Sequence, residues 1–193
     1  MLHHVGTQVI ETERLLLRPF RYTDDDAMLQ YWVADEHIQS LYAEPVYTTK
    51  EAVKGLLDAY IGSYERKDVY RWAIIFKENA ACIGQIAYFL VDSRNHFAEL
   101  EYCIGADFQC RGLATEATKA VIDYGFTRIG LHKIQISHKE GNLPSKRVIE
   151  KCGFRYEGTL RDFFFADGAY IGRRYYSMLE SEFEKIAQEG HNG

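Results

Sequence analysis

The chain has 193 residues, 47% of them hydrophobic and 26% charged, with a formal net charge of −5. That length suits one domain that buries roughly 70% of its unfolded surface, and the acidic balance lacks the basic footprint of a nucleic-acid binder. No apolar run approaches the roughly 20 residues that cross a bilayer, and the N-terminal MLHHVGTQVIETERLLLRPF has no apolar core of a signal peptide.

Leu15 to Phe20 reads as a short strand. Thr23, followed by Asp24, Asp25 and Asp26, reads as an N-cap with acidic residues at the positive end of a helix dipole. The helix behind it carries Met28, Leu29, Trp32 and Val33. A second helix is expected from about Thr49 to Arg66, with Val53, Leu56, Leu57, Tyr60 and Ile61 on one face. The period then changes. Arg71–Phe76, Cys82–Val91 and Phe97–Ile104 read as strands joined by the short turns KENA and DSRNH, which makes an antiparallel meander. Leu113, Ala117, Ala120, Val121 and Tyr124 form one apolar helical face, closed by Gly130. Lys133–Ser137 alternates as a strand. Asn142 and Pro144 open a short helix that buries Val148, Ile149 and Cys152 and stops at Gly153. Two strands, Phe154–Phe165 and Tyr170–Leu179, joined by ADGA, finish an α/β (α+β) domain with a mixed sheet.

The stretch QCRGLATEA, residues 109–117, opens a helix with small residues and no strong capping side chain. A helix N-terminus leaves backbone N–H groups unpaired and carries positive potential, so an anion is its natural partner. Gly112 and Ala114 would let phosphate oxygens approach, with Arg111 at the rim. A plain tight turn is the alternative. In the strand AELEYCIG, alternation puts Glu99, Glu101 and Cys103 on one face and Leu100, Tyr102 and Ile104 on the other. Two carboxylates about 7 Å apart could take a proton from an ammonium group, or could simply be a solvated strand face. Asn142 suits an N-cap and Ser145 an unremarkable first turn. Tyr31, Trp32, Tyr42, Tyr47, Tyr60, Tyr64, Tyr70 and Trp72 are expected as core or pocket wall, Asp162 as another candidate acid or base or, more simply, a partner of Arg161 or Arg173, and His3 and His4 as disordered. Cys82, Cys103, Cys110 and Cys152 show no CxxC-like spacing and read as reduced thiols, with no metal site.

Gln109, Gly112 and Ala114 match the Q/R-x-x-G-x-G/A signature of the GNAT acetyltransferases, and the element order from about 10 to 183 resembles that family. NLPSKRVIEKCGF, residues 142–154, looks like the family's later helix. YEGTLRDFFFADGAY, residues 156–170, is similar to the C-terminal hairpin of the branch holding the ribosomal-protein N-terminal and the spermidine acetyltransferases. The resemblance implies a seven-stranded, mostly antiparallel sheet splayed between its fourth and fifth strands and flanked by about four helices. It implies acetyl-CoA as cosubstrate, with the backbone of Gln109, Cys110, Arg111, Gly112, Leu113, Ala114 and Thr115 around the pyrophosphate and Tyr102, Cys103 and Ile104 along the pantetheine arm. Asn142 would bond the cofactor and Ser145 would protonate the departing thiolate, while Glu101 or Glu99 acts as base. Two departures stand out. Cys110 occupies a position where the family often has glycine, and Ile149 replaces the tyrosine acid of the spermidine branch, in which a glutamate matching Glu99 contacts the polyamine. The implied function is acetyl transfer to a primary amine, most simply a protein N-terminus. A polyamine or aminoglycoside acetyltransferase and a non-catalytic CoA-binding module are the alternatives. A cytoplasmic location with no nucleic-acid or membrane partner is expected, and a homodimer is compatible.

Overall fold

The computed structural model describes residues 1–42, 44–166 and 168–191, with the Tyr42 side chain and the middle of the ADGA turn outside the described set. The N-terminus is tied down rather than disordered. Leu2 is buried, His3 N–H donates to Ile129 O at 2.8 Å, and the His4 ring bonds the Tyr70 and Ser93 hydroxyls at 3.1 and 3.0 Å. Thr12 turns a two-residue strand β1 (Ile10–Glu11) back onto β2 (Leu15–Arg18). This extra pair makes the sheet eight-stranded instead of seven; two residues are too few to show a period.

Helix α1 (Asp25–Met28) follows a 3₁₀ turn at Tyr22–Asp24 and runs into a π turn, Leu29–Val33. Thr23 is not its cap. Asp24 stands at the N-cap position without a side-chain cap bond, and its buried carboxylate instead accepts from Arg21 N–H at 2.8 Å and from both terminal nitrogens of Arg18 at 2.6 and 2.8 Å. Helix α2 (Glu36–Tyr42), unforeseen from the sequence, precedes α3 (Lys50–Ser63), which Thr49 caps by accepting from Ala52 N–H at 3.2 Å. Strands β3 (Tyr70–Phe76), β4 (Ala81–Asp92) and β5 (Phe97–Ile104) form the expected meander. Helix α4 (Leu113–Tyr124) then crosses to β6 (Lys133–Lys139), after a π turn closed by Gly130 at φ +75°. Helix α5 (Leu143–Lys151), the hairpin of β7 (Arg155–Ala166) and β8 (Ala169–Leu179), and a second unforeseen helix, α6 (Glu180–His191), complete the chain. Six α-helices are thus described where about four were expected.

The strand order is β1-β2-β3-β4-β5-β6-β8-β7, antiparallel throughout except for β5 beside β6. Each face of the sheet has its own core. Leu100, Ile104, Ile134 and Ile136 pack with Leu113, Ala117 and Val121 of α4 and Ile149 of α5 on one side. Ala73, Ile75 and Cys103 pack with Met28, Trp32, Val53 and Leu57 on the other.

Strands β5 and β6 pair only from Phe97↔Lys133 to Leu100↔Ile136, and beyond that level they part. A register shift in β4 between Tyr88 and Leu90, opposite Leu100 and Glu99, lies at that same level. Such a bulge adds local twist and bend, so β5 follows β4 away from β6. The splay falls between the fifth and sixth strands because β1 adds one to the count.

Candidate functional site

Gly112, at φ +80°, is the N-cap of α4 and contributes no side-chain cap. The first intrahelical bond is Glu116 N–H to Gly112 O at 3.0 Å, so the N–H groups of Leu113, Ala114 and Thr115 come before the ladder begins. The loop in front of them is braced on two sides. Gln109 donates its side-chain N–H to Ile104 O at 3.0 Å, and Arg14 donates to Arg111 O at 2.9 Å while also pairing with Glu116 at 2.7 Å. The Arg111 side chain turns aside, lying 4.7 Å over the Phe76 ring and 3.6 Å from Glu78, off the lining of the cleft.

Cys110 is exposed and sits at φ +57°, the left-handed region. A non-glycine residue there costs about 1–2 kcal/mol. Cys110→Gly is therefore expected to keep or raise the melting temperature, since strain relief offsets the entropy of the added glycine. Cys110→Val, β-branched, is expected to lose about 1 kcal/mol or more by chemical denaturation.

Cys82, Cys103 and Cys152 are buried thiols outside any disulfide, and burial pushes the Cys152 thiol up to about 12.

A cleft of about 520 Å³ follows the splay. Its walls include Glu101 to Ile104 of β5, Ser137 and His138 of β6, Gln109, Cys110 and Gly112 to Thr115 of the loop and α4, and Asn142 and Ser145 of α5. Gly105 N–H donates to Ile83 O at 2.8 Å across β4. By strand alternation, Cys103 also faces β4, while the backbone groups of Tyr102 and Ile104 face the gap. The Tyr102 and Ile104 N–H groups are thus aimed into the space that β6 has left.

Glu101 and Glu99 share one face, as alternation requires, but neither is a solvated surface carboxylate. Arg71 donates to Glu101 at 3.1 Å and lies 4.4 Å over the Tyr60 ring, and its other terminal nitrogen bonds Gln85. Burial raises the Glu101 carboxyl above the ordinary carboxylate range, outweighing the opposing pull of Arg71. Glu99 is 7% exposed and accepts from Arg173 at 2.6 Å and from Ser137 at 3.2 Å. Arg173 therefore pairs with Glu99 and not with Asp162.

Asn142 caps α5, its Oδ1 accepting from Ser145 N–H at 3.1 Å. The Ser145 hydroxyl lies 3.2 Å from that of Tyr102, whose phenol is pushed well up by burial. Sequence reasoning gave Tyr102 only a backbone role and missed this pair, because strand and helix meet through the fold and not through any spacing. It also missed α2, which brings His37, Ile38 and Leu41 to the cleft, and the cations Arg147 and Lys151 of α5 on its rim. The i, i+3 spacing of Ile38 and Leu41 was the available signal for α2. His138 lines the cleft with its ring stacked on Tyr176, and burial holds it below the usual imidazole range.

The cleft fits an extended thioester cofactor with an anionic end: unpaired strand backbone leads to a helix N-terminus free of side-chain caps. Comparison with known proteins agrees. The description "Acetyltransferase (GNAT) domain" matches residues 14–155. The uncharacterized N-acetyltransferase p20 of Bacillus licheniformis is 31% identical over 91% of this chain and 98% of its own. A spermidine N-acetyltransferase from Vibrio cholerae, solved with CoA and spermine, superposes with TM-score 0.77 at 24% identity, over 90% of this chain and 99% of its own. A ribosomal-protein-S5-alanine acetyltransferase from Vibrio fischeri superposes with TM-score 0.78 at 20% identity, over 91% and 98%. With a family match over residues 14–155 and a 31% identical N-acetyltransferase relative along 91% of its length, the chain belongs to the GNAT N-acetyltransferases, whose acetyl donor is acetyl-CoA.

Proposed function

We propose that the protein acetylates a protein N-terminal amine of the ribosomal-protein type by direct transfer. The observation that carries this reading is the meeting, in one cleft, of a half-buried carboxyl (Glu101), gap-facing β5 backbone and the uncapped start of α4. Acetyl-CoA supplies an activated acetyl thioester at the gap. The N–H groups of Leu113, Ala114 and Thr115, with the Gln109–Gly112 loop, hold its pyrophosphate. Tyr102 and Ile104 bond the pantetheine arm with their gap-facing backbone groups, and Asn142 has its amide NH₂ to offer there.

Glu101 takes the proton of the incoming ammonium, directly or through water, so that the neutral amine can attack the carbonyl carbon. The gap-facing N–H groups of β5 polarise that carbonyl. Ser145, backed by the Tyr102 hydroxyl, donates toward the departing sulfur. A thiol of pKa about 8.5 leaves readily near neutral pH, so this last contribution is small. Glu99 does not compete as base, being held by Arg173 and Ser137.

A thiol-release assay with an acceptor panel tests the reading. A ribosomal-protein N-terminal peptide is expected to give kcat/KM at least tenfold above spermidine or an aminoglycoside. Turnover of polyamine alone overturns the acceptor assignment. CoA binding without thiol release for any amine favours a non-catalytic module.

A further inference from the structure

We infer that Arg173 is a built-in cation occupying a site that would otherwise take the distal charge of a polyamine, and that it sets acceptor specificity by doing so. Glu99 is a buried carboxylate with one guanidinium partner. Around that guanidinium stand three rings, Tyr175 at 4.8 Å, Phe163 at 5.0 Å and Phe164 at 6.0 Å. A carboxylate together with ring faces is how proteins hold an organic cation. Here the cation is the protein's own, fixed further by Arg173 Nε donating to Ser137 Oγ at 2.8 Å.

The backbone is bent to build this box. Consecutive residues of a regular strand point to opposite faces, yet Phe163 and Phe164 both reach Arg173. The register slips between Leu160↔Arg173 and Phe164↔Ile171, with Asp162 at φ +52° inside the slip. A left-handed non-glycine residue is strained, and what it achieves is to bring both rings over one guanidinium.

The box adjoins the acceptor site. Glu99 stands two residues from Glu101 on the same strand face, about 7 Å away by strand rise, close to the reach of a short alkyl diamine. Ser137, bonded to both Glu99 and Arg173, lines the cleft. With Arg173 in place, Glu99 is neutralised, and a second ammonium beyond the reacting amine meets a guanidinium. An acceptor with an uncharged neighbour to its amine meets no such penalty.

The inference rests on reading the cleft as the acceptor site, so binding is scored apart from turnover. Calorimetry with spermidine and with hexylamine, on the parent, R173Q, R173K, E99Q and R173Q/E99Q, decides it. R173Q is expected to bind spermidine at least tenfold more tightly than the parent, with hexylamine unchanged within twofold. R173K should behave as the parent, and R173Q/E99Q should lose the gain. E99Q alone, which does not depend on R173Q folding, leaves the Arg173 guanidinium without its carboxylate and should not tighten spermidine binding. Unchanged spermidine affinity in R173Q, an equal shift for both amines, or tighter spermidine binding in E99Q overturns the inference. Absence of thiol release with every amine would instead overturn the proposed function, and the R173Q affinity would still be readable.

Discussion

Glu101→Gln is expected to lower kcat/KM for a peptide amine by about 10²–10³-fold, within the usual contribution of a positioned general base, and to abolish the acid limb of the pH profile. An α-amine with pKa about 7.7–8.0 is mostly protonated at neutral pH, so the reaction needs an acceptor for that proton. Glu101 acts only when ionised. Its burial raises the pKa, so activity should fall, as pH is lowered, at a midpoint above the ordinary glutamate value of about 4.3. Among the influences on that midpoint, Arg71 is the one that lowers it. Arg71→Met should therefore move the acid limb to still higher pH. In Glu101→Gln the limb disappears, and the residual rate should rise with pH only as the amine itself deprotonates. Glu99→Gln is the contrast. It should reduce thermal stability, because Arg173 loses its buried partner, but change kcat/KM by less than tenfold. Equal losses of rate in the two variants would remove Glu101 from the role of base.

The legibility of this site in the sequence follows the range of the physics involved. The uncapped start of α4 was readable because its signal is local: a glycine, small residues after it, and an apolar helical face behind. The two-faced β5 was equally readable, since alternation alone separates Glu101 from Tyr102. What could not be read was how a shared face is divided. Glu99 and Glu101 are equivalent in the sequence, and only Arg71 from β3 and Arg173 from β8 make one a carboxyl at the cleft and the other an internal ion pair. The Tyr102–Ser145 contact is of the same kind. Among secondary elements, the misses were β1, of two residues, α2, of seven, and α6, whose pattern continued without a break from β8. Thr23 failed as a cap because it lies inside a 3₁₀ turn, Tyr22–Asp24, that the Asp24 carboxylate fastens to Arg21 N–H and to Arg18, six residues upstream.

Gly84→Ala is expected to damage both fold and cofactor binding, lowering the melting temperature by roughly 6–12 °C for an overpacking cost of about 3 kcal/mol. Gly84 lies in β4 opposite Ile104. A Cβ there would sit on the Cys103 carbonyl and within 3.0 Å of Ile104 Cα, against backbone that no rotamer change can move. The strand that must yield is β5, at the level where Tyr102 and Ile104 turn their N–H groups to the gap. Displacing it moves the β5 edge proposed to bind pantetheine, and Gln109, bonded to Ile104 O, carries the shift into the loop proposed to hold the pyrophosphate. The KM for acetyl-CoA should rise at least tenfold, while kcat at saturation should change less because Glu101 stays on the opposite face. Gly62→Ala separates this local clash from a general effect of replacing glycine. Nothing lies within 4 Å of a Cβ added at Gly62, so there the same change should add up to about 1 kcal/mol of helix stability and leave the KM unaltered. A Gly84→Ala enzyme with the parent's melting temperature and KM would mean that β4 and β5 adjust freely at this level, and that the gap is not held by close approach of the two strands.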